Sequence, residues 1–152
     1  MKKIKIELAR QGTFIVTIIL IHFVFFGYIA NVYEKTIGIN IIFLNKILFS
    51  PVSYLSTLIL IAIVFFLVFR EAFFEYGLRN SIMLVPIMIG MSWVWSWIMN
   101  GFNLIIIPLF FISLDGYLTI ISIFGINLAT AILASILKQR YKEYKKKVKE
   151  II

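Results

Sequence analysis

The chain has 152 residues, of which 62% are hydrophobic and 14% are charged, and its formal net charge is +8. Soluble domains hold about 45–50% hydrophobic and about 25% charged residues, so this composition excludes an ordinary water-soluble protein. It predicts a single all-α integral membrane domain. The chain has no cysteine, which excludes disulfides and thiolate chemistry.

The first long apolar run covers residues 13–31 and follows the positively charged start MKKIKIELAR. It is long for the hydrophobic region of a signal peptide, and Tyr28 occupies the position where cleavage before Asn31 would need a small residue. The run therefore predicts a retained membrane span. Its periodicity places Thr17 and Asn31 on one face and His22 on the opposite face.

Two further stretches are apolar but too short to cross a bilayer. They are GINIIFLNKILFS (38–50) and GFNLIIIPLFFIS (101–113), and each predicts an interfacial or re-entrant segment on the outer side. At an offset of 63 residues the regions share Gly38/Gly101, Asn40/Asn103, Ile42/Ile105, Ser50/Ser113, Tyr54/Tyr117 and Leu55/Leu118. This similarity indicates a parallel duplication, although chance similarity between isoleucine-rich segments explains it equally well.

The second and third spans are predicted at 52–69 and 81–99. The second, which contains LILIAIVFFLVF, has no stripe of small or polar residues, so we expect it to face lipid. The third ends in SWVWSW, where Trp93, Trp95 and Trp97 predict an interfacial aromatic belt. The alternative is an aromatic stack that recognises a ring, a sugar or a lipid tail.

The fourth span is predicted at 117–137. Asp115 is the only charged residue between Arg79 and Lys138, and the Asp115-Gly116 pair is typical of a turn. We therefore expect Asp115 to cap the outer end of this helix, with ion or proton handling as the alternative.

Two polar side chains are predicted near mid-span, His22 in the first helix and Asn127 in the fourth. They are the candidates for a buried polar site, since ionisable and amide groups at that depth are costly and often functional. The plainer alternative is hydrogen bonding between helices. In the fourth span a stripe of small residues around Gly125, which includes Ser122 and Ala129, predicts close approach of a neighbouring helix.

Thirteen of the 15 Lys and Arg residues lie in the N-terminus, the loop between spans two and three, and the tail. The exceptions are Lys35 and Lys46. This asymmetry predicts a multi-pass protein of the cell (plasma) membrane with both termini in the cytoplasm.

The tail, 138–152, continues the fourth helix as a basic amphipathic segment. Its apolar stripe consists of Leu137, Tyr141, Tyr144, Val148 and Ile151. The stripe predicts contact with anionic lipid at the cytoplasmic face, pairing of two tails as a short coiled coil, or docking of an acidic partner. The predicted lipid or partner contacts on the cytoplasmic side are Arg70, Arg79, Lys138, Arg140, Lys142, Lys145, Lys146, Lys147 and Lys149.

The sequence has no glycine-rich phosphate loop, no H-E-x-x-H, no G-x-S-x-G and no pair of acids at membrane depth. We therefore predict no enzyme activity, no cofactor and no metal site. The positive-inside distribution accounts for the basic residues, so they do not indicate a nucleic-acid partner, and none is expected. The predicted function is a non-catalytic subunit or modulator of a membrane complex, within a homo- or hetero-oligomer. The alternatives are a small homo-oligomeric transporter, channel or lipid flippase, and a holin or immunity-type protein.

Overall fold

The computed structural model describes residues 2–36, 44–50, 54–71 and 74–152, and these ranges contain helices and no β-strand. The elements in chain order are α1 (Lys2–Leu20), a π-helical segment (Ile21–Phe25), α2 (Phe26–Thr36), α3 (Leu44–Leu48), α4 (Tyr54–Arg70), α5 (Phe74–Asn100), α6 (Ile106–Ile112) and α7 (Leu114–Ile151). The predicted all-α class is confirmed.

Within the described ranges, three helices are long and apolar enough to cross a bilayer: Lys2–Asn31, Phe74–Met99 and Leu114–Ile151. The predicted spans at 13–31, 81–99 and 117–137 lie within them. The helix α4 is apolar but has only 17 residues, which reach about 25 Å. It overlaps the predicted second span, whose first two residues lie outside the described ranges, and its role as a fourth span stays a prediction.

The centre of the bundle is formed by α4 and α7. The helix α7 packs against α3, α4, α5 and α6, and α4 packs against α1, the π segment, α3, α5 and α7. One face of α4 is therefore packed against protein, whereas Tyr54, Leu58 and Phe66 form an exposed row on another face, so lipid contact of this helix stays a prediction. Its buried residues are Ser56, Leu60, Ile63, Val64, Leu67 and Val68. In a bilayer an apolar side chain packs against a helix as readily as against acyl chains. The sequence of a uniformly apolar helix therefore does not indicate which face meets protein and which meets lipid.

The π segment interrupts the regular turn of the first long helix at His22. A π turn has i→i+5 hydrogen bonds, so it rotates all later residues relative to α-helical spacing. Thr17 before the segment is fully buried, whereas Asn31 after it is exposed. The two residues that regular periodicity places on one face thus lie in different environments.

The chain turns sharply between α6 and α7. Ser113 is the N-cap of α7, and its Oγ accepts a hydrogen bond from the Gly116 backbone N–H at 3.2 Å. Gly116 lies so close to the end of α6 that a Cβ atom there would be 1.8 Å from the carbonyl oxygen of Phe110. This corner therefore requires glycine at position 116.

Each half of the chain has a long helical stretch, a short helix and a second long helix. The short helix α3 lies within the first predicted outer segment and α6 within the second. Gly38, Asn40 and Ile42, on which half of the repeat rests, lie outside the described residues. The duplication stays a prediction, as does the interfacial or re-entrant placement of the two segments.

Candidate functional site

Charged and polar side chains meet around Glu71 at the end of the bundle where α4 ends and α5 begins. We call this the basic end. Glu71 is only 6% exposed, and its Oε1 accepts a hydrogen bond from Asn80 Nδ2 at 3.2 Å. Its backbone carbonyl accepts a hydrogen bond from Lys138 Nζ. The connection between α4 and α5 is thereby joined to α7.

The guanidinium groups of Arg10 and Arg79 lie beside the same aromatic ring. Arg10 Cζ is 4.2 Å from the ring centroid of Tyr76, and Arg79 Cζ is 5.8 Å from it. Such cation–π contacts contribute about 0.5–1 kcal/mol each at exposed sites. They bring the start of the chain against the first turns of α5, so α1 shares the basic end with α4, α5 and α7.

Burial raises the pKa of the Glu71 carboxyl above its ordinary value of 4.5, against the opposing effects of Arg10, Lys138 and the Asn80 hydrogen bond. The folded state thus binds this proton more tightly than the unfolded state does. The contribution of Glu71 to stability is therefore fully present below pH 4.5 and is lost as the pH rises through the raised pKa.

We expect Glu71→Gln to be at least as stable as the wild type at pH 8, because Gln can still accept the Asn80 hydrogen bond and carries no charge to desolvate. The stability advantage of the variant should shrink as the pH is lowered towards 5. Thermal unfolding of the two proteins in mild detergent across this range measures the difference.

The matched control is Glu75→Gln, which removes an exposed acid from the first turn of α5. A Glu71→Gln variant that loses stability relative to the wild type as the pH rises would show that attraction to Arg10 and Lys138 outweighs burial. The pKa of the Glu71 carboxyl would then be lowered and not raised.

Two cavities flank the basic end. One, of about 440 Å³, lies between α4, the start of α5 and α7, and its polar walls include Glu71, Lys138 and Lys142. The other, of about 260 Å³, lies between α1 and α5 and is walled by Arg10 and Arg79. Both are also lined by apolar side chains, which include Val68 and Ile132 in the first and Phe14 and Met83 in the second.

The two mid-span polar residues are not brought together. His22 lies in the π segment with its ring centroid 5.4 Å from that of Trp95, whereas Asn127 Nδ2 donates to the Ser81 carbonyl at 3.0 Å. Trp95 and Ser81 are about 21 Å apart along α5, so the two side chains lie at different depths. Asn127 joins α5 to α7 and is 1% exposed.

The tryptophans of α5 have separate environments. Trp97 Nε1 donates to the Asn103 carbonyl at 2.8 Å near the end of the helix, and Trp93 packs edge-on against Phe110 with ring centroids 5.6 Å apart. The Nε1 atoms of Trp93 and Trp95 and the Oδ1 atom of Asn127 are buried without a hydrogen-bond partner within the described ranges. The interfacial belt stays a prediction.

At the opposite end of the bundle, Asp115 joins α7 to α3. It forms an ion pair with Lys46 at 3.1 Å and accepts a hydrogen bond from Asn45 Nδ2 at 3.4 Å. Thr119 Oγ1, one turn further along, donates to Asn45 Oδ1 at 2.9 Å. Asp115 is not the cap residue that the sequence predicts, because Ser113 holds the N-cap position and Asp115 lies in the first turn.

The stripe around Gly125 does not bring a helix close. Gly125 is exposed, and a Cβ atom added there would meet nothing within 4 Å. The close approach is instead made at Gly77, where an added Cβ would lie 3.0 Å from Val68 Cγ1, and at Gly116. The predicted contact at this stripe is therefore wrong within the described part of the chain.

Most of the predicted basic contacts lie on the exposed tail of α7. Arg79 and Lys138 belong to the basic end, and Arg70 Cζ lies 5.5 Å from the ring centroid of Phe66 on its own helix. The remaining ones, Arg140, Lys142, Lys145, Lys146, Lys147 and Lys149, are exposed along α7. Tyr141 of the tail is 6.3 Å from the Phe69 ring.

Sequence reasoning missed Arg10, Glu71 and Asn80 as partners. A signal for them exists, because a bundle of antiparallel spans places the end of one span, the start of the next and the end of the last at the same height. The polar residues that bound those spans could have been grouped on that basis. Sequence reasoning likewise missed Asn45 and Thr119, for which no spacing rule applies.

Groups of three or more His, Cys, Asp or Glu side chains able to hold a metal ion do not occur among the described residues. Comparison of the chain with protein-family models, curated proteins and solved structures finds no match.

Proposed function

We propose that the protein is a non-catalytic subunit or modulator of a larger membrane assembly, and that it binds its partner through the tail of α7. The observation that carries this proposal is the continuity of α7, which runs unbroken for 38 residues from Leu114 to Ile151. Beyond Lys138 it extends by about 20 Å with exposed apolar side chains.

In this proposal α7 crosses the plasma membrane between Asp115 and Lys138, the charged residues that bound its apolar stretch. Asp115 and Lys138 are 23 positions apart, or about 35 Å along the helix, which matches a hydrocarbon core of about 30 Å with its interfaces. With α4 as the fourth span, both termini lie in the cytoplasm, as the distribution of basic residues supports. The short helices α3 and α6 then lie on the outer side.

The unbroken helix favours a protein partner for the tail. A helix that continues straight from a membrane span leaves the bilayer, whereas lying on the lipid surface would require a bend near Lys138. Tyr144 is 67% and Ile151 84% exposed, and an apolar stripe on a projecting helix is the surface that helix-in-groove or coiled-coil partners bind.

The test is affinity purification of the tagged full-length chain from native membranes in gentle detergent, with native mass measurement. We expect a different protein at fixed stoichiometry. Changing Tyr144 and Ile151 together to serine should reduce its recovery at least tenfold, because two anchors worth about 1 kcal/mol or more each are lost.

The matched control is Gln139→Ser with Lys146→Ser, which alters the opposite face of the same helix. Equal recovery of the partner from the stripe variant and from the control would contradict the role of the stripe. Recovery of a self-oligomer with only lipid attached would contradict the subunit proposal itself.

That last outcome would favour the second candidate, a small homo-oligomeric transporter, channel or flippase. The observation in its favour is a set of buried polar atoms, on Trp93, Trp95 and Asn127, that have no hydrogen-bond partner among the described residues. Such atoms cost about 1–3 kcal/mol each unless water or a ligand pairs with them. His22, in the π segment beside Trp95, is then the residue to change first.

A further inference from the structure

The cavity between α1 and α5 combines two arginines with an apolar wall. Its polar side is formed by Arg10, Gln11, Arg79 and Asn80, and its apolar side by Phe14, Ile15 and Met83. Its volume of about 260 Å³ suits a phosphate headgroup together with the first part of an acyl chain.

The arginines are held close together by the structure. Both guanidinium groups flank the ring of Tyr76, which places their Cζ atoms within about 10 Å of each other. Glu71 offsets part of the charge of Arg10, but this acid also faces Lys138, and its carboxyl already accepts the Asn80 hydrogen bond. The cavity therefore attracts an anion that can contact both guanidinium groups, as a phosphodiester does.

The apolar wall of the cavity lies on the bilayer side of the arginines. Ile15 is five positions beyond Arg10 and Met83 four beyond Arg79, so both lie about 6–8 Å further along parallel helices. Ile15 is 56% and Met83 47% exposed, so the apolar wall of the cavity is accessible from outside the bundle. This order, charge at the helix ends and apolar surface deeper, is the order of headgroup and acyl chain in a lipid leaflet.

We propose that this cavity is a binding site for an anionic phospholipid, with the phosphate between Arg10 and Arg79 and an acyl chain along Ile15 and Met83. Basic cavities between membrane helices at their charged ends recognise lipid headgroups in this way. The site is separate from the tail of α7 and does not depend on the proposed function.

The first test uses the wild-type full-length chain, delipidated in mild detergent. Binding of phosphatidylglycerol, phosphatidylcholine, glycerophosphoglycerol (the headgroup without acyl chains) and inorganic phosphate is compared at constant ionic strength by native mass spectrometry and by the shift in thermal unfolding. We expect saturable binding of phosphatidylglycerol that exceeds the binding of the other three by at least tenfold. Equal binding of phosphatidylcholine, or of either anion without acyl chains, would overturn the proposal.

The second test removes the two arginines. We expect Arg10→Gln with Arg79→Gln to weaken phosphatidylglycerol binding about 30-fold, the factor that corresponds to about 1 kcal/mol for each basic residue. The control, Arg70→Gln with Arg140→Gln, removes the same charge from the same end of the bundle but outside the cavity, and should change binding less than threefold. Equal losses in the two variants, or none in the first, would overturn the proposal.

Discussion

Replacing Gly116 with alanine is expected to lower the free energy of unfolding by about 3 kcal/mol or more. A Cβ atom at this position would lie 1.8 Å from the Phe110 carbonyl oxygen and 2.9 Å from its carbonyl carbon. Overpacking usually costs about 1–3 kcal/mol where side chains can move aside. Here the obstacle is backbone, so α6 and α7 must separate. Denaturant unfolding in detergent, followed by circular dichroism, measures the loss.

Gly125→Ala is the control for Gly116→Ala, in the same helix. A Cβ atom at Gly125 would meet nothing within 4 Å. Because alanine is the better helix former by about 1 kcal/mol, this variant should be as stable as the wild type or more stable. If both alanine variants had equal stability, the tight corner between α6 and α7 would not exist as described.

Phe110→Ala should remove about 3 kcal/mol, because the Phe110 ring is completely buried in the core and packs edge-on against Trp93. Truncating a buried phenylalanine leaves a cavity that the surrounding structure fills only partly. The same unfolding measurement applies, with the change in Trp fluorescence as a second readout.

Phe111→Ala tests whether burial causes the effect. Phe111 is adjacent, also contacts Trp93 at 5.8 Å, and is 47% exposed, so its loss should cost less than about 1 kcal/mol. If the two substitutions had equal effects, Phe110 and Phe111 would contribute equally to the packing of α6. The burial of Phe110 would then not be the cause of its larger expected effect.

Much of the helical framework could be predicted from the sequence, because an apolar run long enough to cross a bilayer must satisfy its backbone groups internally and is therefore helical. The apolar runs at 13–31, 81–99 and 117–137 all lie within long helices. The partners of the helices could not be predicted in the same way. The apolar face of a membrane helix looks the same whether it meets lipid or protein, so the sequence of α4 does not indicate which of its faces packs against the five neighbouring elements.

The location of the candidate site at one end of the bundle could be predicted from the sequence. The contacts between its side chains could not. Arg10, Glu71, Arg79 and Lys138 all bound apolar runs, which places them at one end of the bundle, but the sequence does not indicate which of them contact one another. The π segment escaped prediction because IHFVF carries no sequence signal that distinguishes it from an α-helical turn. Asp115 was assigned the cap that Ser113 forms because the two are only two residues apart, within the usual uncertainty of a helix end.

The central place of α4 bears on how the protein fits the thickness of a bilayer. A lipid-facing helix of 17 residues would be about 5 Å too short, and the membrane would have to thin around it. The ends of α4 meet protein instead, since Thr57 Oγ1 donates to the Leu48 carbonyl of α3 at one end and Glu71 bonds to Asn80 and Lys138 at the other. Hydrophobic matching therefore constrains the three long helices, whereas α4, which meets protein at both ends and is exposed between them at Leu58 and Phe66, is free to be shorter.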